Sequence, residues 1–162
     1  MTTHDAVTEP QPPGLDTARH RFTANRADVD RATVHRWLSE RSYWAHGRAR
    51  AVQDAAIDGS LCFGVMERET GRQVAFARVV TDGATFAWLA DVYVDEAARG
   101  QGVGTALVAG VVAHLEPLGL GRVLLATADA HGLYERFGFA PLPQPSRYLA
   151  LTREQQLDPP GR

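Results

Sequence analysis

Lysine is missing altogether: the 17 basic residues among 162 are all arginine. A Walker loop is thereby excluded, because its phosphate grip needs a lysine after the second glycine. The bias itself fits a GC-rich coding sequence. Cysteine is nearly missing too. Cys62 alone rules out an intramolecular disulfide, and its place in Leu61-Cys62-Phe63-Gly64-Val65 predicts a buried structural thiol. No apolar run approaches a membrane span, and no basic start leads into a signal-length apolar stretch. A cytoplasmic protein without a membrane partner is expected. Excess charge is also lacking: a formal net charge of -2 gives no general pull towards nucleic acid.

What is present suits one domain. Hydrophobic residues make up 44% of the chain, enough to bury a sizeable core. Residues 1–18, with Pro10, Pro12, Pro13 and Gly14 and no hydrophobic periodicity, read as a disordered leader. Residues 19–152 form the expected domain, and 153–162 a tail whose last residues, Asp158 to Arg162, include Pro159 and Pro160.

A short strand is expected at 22–23, then a helix capped by Asp28 or Asp30 with Val34, Trp37 and Leu38 on its apolar face. A second helix is expected over 47–57, ended by Gly59. Three strand-like runs follow at 61–67, 73–81 and 85–94, with Asp82-Gly83 as a hairpin signal between the last two. Leu107, Val108, Val111, Val112 and Leu115 then recur at helical spacing until Pro117 and Gly119. A strand over 123–127, a helix capped by Asp129 through Arg136, and two final strands at 139–142 and 147–151 complete the pattern. A helix entering after an antiparallel meander implies a crossover, and so a mixed sheet in an α/β chain.

The chemistry concentrates after the strand ending Val92-Tyr93-Val94. Arg99-Gly100-Gln101-Gly102-Val103-Gly104 places three glycines at alternate positions before a helix start. Missing side chains let a ligand approach the backbone, and the unpaired N–H groups of a helix start attract an anion. Arg99 adds a permanent charge. The dinucleotide fingerprint fails in both glycine frames, since Thr105 and Leu107 stand where a third glycine belongs.

Arg99-x-x-Gly102-x-Gly104, following Asp91-Val92-Tyr93-Val94, resembles the pyrophosphate-binding motif of the GNAT acetyltransferase superfamily. Leu133-Tyr134-Glu135-Arg136-Phe137-Gly138-Phe139 resembles that superfamily's second signature. The likeness runs over about 22–151. Segments 42–48, 76–82 and 129–134 look like those of a group of small bacterial acetyltransferases. The resemblance implies a mixed, mostly antiparallel sheet of about six to seven strands flanked by about four helices. It implies acetyl-CoA as co-substrate, no metal, and direct transfer of acetyl to an amine of a small molecule or peptide. It also implies a fold whose members often pair as dimers. Cofactor contacts would come from Val92, Tyr93, Val94, the run from Arg99 through Gly100, Gln101, Gly102, Val103 and Gly104 to Thr105, and from Thr127 and Tyr134. Many relatives carry Asn seven residues before the tyrosine; Thr127 stands there, and a hydroxyl replaces only part of an amide's hydrogen bonding.

The resemblance gives Tyr134 as proton donor to the departing thiolate, or else as a packing and hydrogen-bonding residue. Asp91 would take the amine's proton, orient the substrate ammonium, or cap a bulge. A backbone N–H near Val92 or Tyr93 would hold the oxyanion. Tyr43 and Trp44 would shape the acceptor pocket or anchor packing. Arg78, expected on one strand face with Val74, Phe76 and Val80, would be a buried pair or an acceptor-side charge. Asp129 and His131 lack the companions of a triad or metal site and read as a helix cap and a first-turn residue. A non-catalytic acyl-CoA sensor on the same fold is the rival reading.

Overall fold

The computed structural model describes residues 17–154; most of the expected leader and tail lies outside them. Strand β1 (His20–Thr23) leads through a short 3-10 turn to helices α1 (Arg31–Arg41) and α2 (Arg50–Asp58). The meander β2 (Leu61–Glu67), β3 (Gln73–Thr81) and β4 (Phe86–Val94) follows, then helix α3 (Val103–Leu115), β5 (Arg122–Leu124) and the one-turn helix α4 (His131–Glu135). The strands lie in the order β1-β2-β3-β4-β5, antiparallel except for the parallel β4–β5 pair that the α3 crossover creates. This is the mixed α/β sheet expected.

Asp30 caps α1, its carboxylate accepting from Thr33 N–H at 3.0 Å. The second helix starts at Arg50, three residues later than expected, because Gly47 adopts a φ of 73° and the chain turns there. The β3–β4 turn closes on Asp82, whose Oδ1 accepts from the N–H groups of Ala84 and Thr85.

The sheet buries both faces. Phe63, Val65, Ala77 and Val79 pack against Leu107, Val108 and Val111 of α3. On the opposite face Cys62, Phe76 and Tyr93 meet Val34, Trp37 and Leu38 of α1 and Ile57 of α2. Cys62 is the buried thiol anticipated, and burial pushes its pKa up. Fully burying such aliphatic side chains stabilises by about 1.5–3 kcal/mol each, so these two layers hold the sheet in place. Val74 sits in the α3-side core, whereas Phe76 faces α1, so the strand face expected to join them to Arg78 is broken.

Two expectations are corrected. Among the described residues five strands form, because the run 139–151 makes no ladder: Pro141, Pro143 and Pro145 remove donors, and a 3-10 turn occupies Pro145–Arg147. Asp129 does not cap α4. Ala130 holds the cap position without a side-chain bond, and Thr127 Oγ1 accepts from Ala130 N–H at 3.1 Å.

Candidate active site

Strands β4 and β5 pair only through Phe86, Ala87 and Trp88 against Arg122, Val123 and Leu124. Beyond Trp88 they separate, and a cleft of about 720 Å³ opens between the second half of β4 and the segment 125–130. That volume is typical of a small-ligand site. The β4 edge facing it has no partner strand, so its backbone groups are available to an extended ligand.

Along the other edge of β4 the register breaks. From Phe76 to Arg78 β3 advances two residues, while the facing β4 residues, Tyr93 and Ala90, are three apart. One extra residue is accommodated as a bulge, and Asp91 carries it with a φ of 53°. No other non-glycine residue among those described has a positive φ. Such strain costs roughly 1–3 kcal/mol and persists only where surroundings enforce it.

Those surroundings are charged. Asp91 Oδ2 accepts from Arg78 Nε at 2.6 Å and Arg48 Nη1 at 2.7 Å, and Oδ1 accepts from Trp44 Nε1 at 3.0 Å. Burial pushes the Asp91 pKa up, but the guanidiniums of Arg78 and Arg48 outweigh it and hold the carboxyl below its ordinary range. The sequence pointed to Asp91, Trp44 and Arg78; it gave no role to Arg48. That residue follows a left-handed glycine and is turned inward between the buried Ala45 and Ala49, a placement that no periodicity announces.

At the cleft's other end Gly100 and Gly102 take φ values of 76° and 77°, and a Cβ built on either meets nothing within 4 Å. The loop is therefore both glycine-dependent and open. Helix α3 starts at Val103, with its first closing bond from Ala106 N–H to Gly102 C=O. The N–H groups of Val103, Gly104 and Thr105 precede that bond and lack intrahelical partners. Arg99 lines the cleft, its Nε donating to Val94 C=O at 3.2 Å and its guanidinium lying 5.5 Å from the Tyr93 ring centre. The Tyr93 ring also stacks on Trp37, at 5.4 Å.

Tyr134 reaches the cleft from α4, packed edge-on against Phe139. Burial first, then Asp129 and Tyr43, push its pKa up to about 12. Tyr43 spans the cleft mouth: its hydroxyl accepts from Ala128 N–H at 3.1 Å, and its ring meets Trp44 edge-on at 5.0 Å. Thr127 lines the same wall but spends its hydroxyl on Ala130. Gln101 is exposed and turned back, Nε2 donating to Ala97 C=O. His131 lies outside the main cleft. Among the described residues no group of three or more His, Cys, Asp or Glu side chains could hold a metal, and no helix is long and apolar enough to cross a membrane.

The arrangement joins a glycine loop at a helix start, an open strand edge, a buried phenol and a polar cluster in one cleft. Comparison with known proteins gives the family. A crystal structure from Xanthomonas campestris pv. campestris assigned to the GNAT acetyltransferases superposes with a TM-score of 0.79 and 43% identity, covering 85% of this chain and 96% of that one. The serotonin N-acetyltransferase 2 of rice, a chloroplastic protein, is 38% identical over 87 residues, 53% of this chain and 44% of its own length. The uncharacterized N-acetyltransferase YhbS of Escherichia coli K12 is 34% identical over 108 residues, 63% of this chain. The chain thus spans 44% and 64% of the lengths of these two relatives. The model of the acetyltransferase (GNAT) family matches residues 29–139, and the chain belongs to that family.

Proposed function

We propose that the chain transfers acetyl from acetyl-CoA directly to the nitrogen of a primary amine held in the cleft, on a small molecule or a peptide. One observation carries the reading: the strand separation beyond Trp88 leaves the β4 edge open between the Gly100–Gly102 loop and Tyr134. Acetyl-CoA supplies a thioester carbonyl and a thiolate leaving group. The N–H groups of Val103, Gly104 and Thr105, with Arg99 beside them, receive the pyrophosphate; the openness above Gly100 and Gly102 fits that group. The β4 edge near Val92 and Val94 aligns the pantetheine arm.

In the transfer a C–N bond forms and the C–S bond breaks. A backbone N–H of β4 near Val92 or Tyr93 would serve the oxygen on which charge develops. Tyr134, kept protonated by its raised pKa, donates to the departing sulfur. Asp91 has all its strong contacts taken by Arg48, Arg78 and Trp44, and its lowered pKa runs opposite to what a base near neutrality needs. Its role is to position: it holds the bulge and the two arginines, and the amine loses its proton to water. Tyr43, Trp44 and Trp88 line the acceptor end and suit an acceptor with an apolar face.

The deciding experiment is thiol release from acetyl-CoA over a broad amine panel, with CoA binding followed by thermal shift. Turnover with any amine supports an enzyme. CoA binding without turnover across the panel would favour an acyl-CoA sensor, and stabilisation by NAD or ATP but not CoA would overturn the site.

A further inference from the structure

Charge at the acceptor end does not balance. Arg48 and Arg78 are permanently protonated guanidiniums, and the carboxylate they share is the single side chain of Asp91. Their other partners are neutral: Arg48 Nη1 donates to Gln53 Oε1 at 2.9 Å, and Arg78 Nη1 to Ser60 Oγ at 3.3 Å. Arg48 Nε is buried without a hydrogen-bond partner. The other charges around the cleft do not cancel the excess. Arg41 is paired with Glu96 at 3.0 Å, Arg99 lies at the glycine loop, and Asp129 is near Tyr134. One positive charge is left over in a site where side-chain exposure is 9% for Arg48 and 16% for Arg78. Leaving it so is costly in free energy unless a ligand anion completes the set.

Resting on the acetyltransferase reading above, we infer that the natural acceptor carries an oxyanion, a carboxylate or phosphate, a few bonds from its amine, and that Arg78 engages it. Arg78 is the more exposed of the pair and lines the cleft beside Trp44 and Trp88. A guanidinium matches the geometry of such oxyanions in a way that an ammonium does not. A polyamine would meet the same excess charge as repulsion.

Matched acceptors test this. L-phenylalanine is compared with L-phenylalaninamide and phenylethylamine, glucosamine 6-phosphate with glucosamine, and spermidine serves as the polycation. The anionic member of at least one pair is expected to show about 10- to 100-fold higher kcat/KM, the yield of one charge-assisted hydrogen bond. Which pair responds separates carboxylate from phosphate. Arg78→Gln should shrink that ratio chiefly through the KM of the anionic member, and Arg78→Lys should restore part of it. Equal or better turnover of the uncharged members in both pairs, or spermidine as best acceptor, would overturn the inference while leaving the enzyme intact. If nothing turns over, the enzyme reading falls, and a thermal shift by 3-phenylpropanoate against 3-phenylpropanol still decides. Stabilisation by the carboxylate alone supports the anion site; equal response to both, with glucosamine 6-phosphate shifting no more than glucosamine, removes it.

Discussion

Arg48 Nη1 lies 2.7 Å from Asp91 Oδ2, joining two positions 43 residues apart and tying the turn before α2 to the bulge of β4. By shape alone Asp91→Asn is a mild change. In this cluster it strips the counter-charge from two guanidiniums, and breaking a buried pair from one side costs about 3–5 kcal/mol. Urea unfolding at neutral pH should show that loss. The Asp91 pKa is lowered in the folded state, so its stabilisation is present above the ordinary carboxylate range and lost as pH falls through the folded value. The gap between wild type and variant should therefore close in acid. A loss under about 1 kcal/mol at neutral pH would show that the cluster does not hold the bulge.

Tyr134→Phe should reduce turnover by about 10²–10⁴-fold while leaving CoA affinity nearly unchanged, because a proton donor acts on the transition state. With its pKa pushed up to about 12, the phenol stays protonated well above neutrality. The wild-type kcat profile should consequently show no falling limb from Tyr134 below about pH 10. A variant with full turnover and only a raised acetyl-CoA KM would make Tyr134 a binding residue.

The legible parts of the fold were those written in local chemistry. Asp30 announces its helix through a cap, and the repeats from Leu107 to Leu115 announce α3 through their period. Asp82-Gly83 announces the hairpin. The glycine loop could be read because positive φ leaves a compositional trace at Gly100 and Gly102. Long-range features left no such trace. Arg48 meets Asp91 only after α1 and the sheet have folded together, and the β4 bulge depends on β3 register, which no single strand encodes. The last two strands do not form: 148–151 is a continuous apolar run, but Pro141, Pro143 and Pro145 precede it and it pairs with no neighbour.

Gly110 illustrates a packing need that sequence alone disguises. It lies inside α3, where alanine would raise helix propensity by up to about 1 kcal/mol. A Cβ there would collide with the Phe22 ring, and that ring is stacked on Phe63 at 6.0 Å. Overpacking of this kind costs about 1–3 kcal/mol. Gly110→Ala should therefore lower the melting temperature, and Gly110→Ala with Phe22→Leu should recover part of it. A more stable single variant would mean that β1 yields freely.

The final prediction concerns the bridge across the cleft mouth. The Tyr43 hydroxyl accepts from Ala128 N–H, on the segment that leads to α4 and Tyr134, and its ring braces Trp44, whose indole N–H donates to Asp91. Tyr43 is largely exposed, so its removal should leave global stability nearly unchanged. Its contribution should appear in the acceptor kinetics instead. Tyr43→Phe keeps the ring and loses one neutral hydrogen bond, worth about 0.5–1.5 kcal/mol, which predicts a 2- to 10-fold lower kcat/KM for the amine. Tyr43→Ala also removes the brace on Trp44 and should lose more, chiefly through amine KM. Measuring both variants with one good acceptor separates the two contributions. If the Phe variant matches wild type and the Ala variant does not, the ring shapes the pocket and the bridge to Ala128 has no kinetic role; if both match wild type, the mouth of the cleft is set elsewhere.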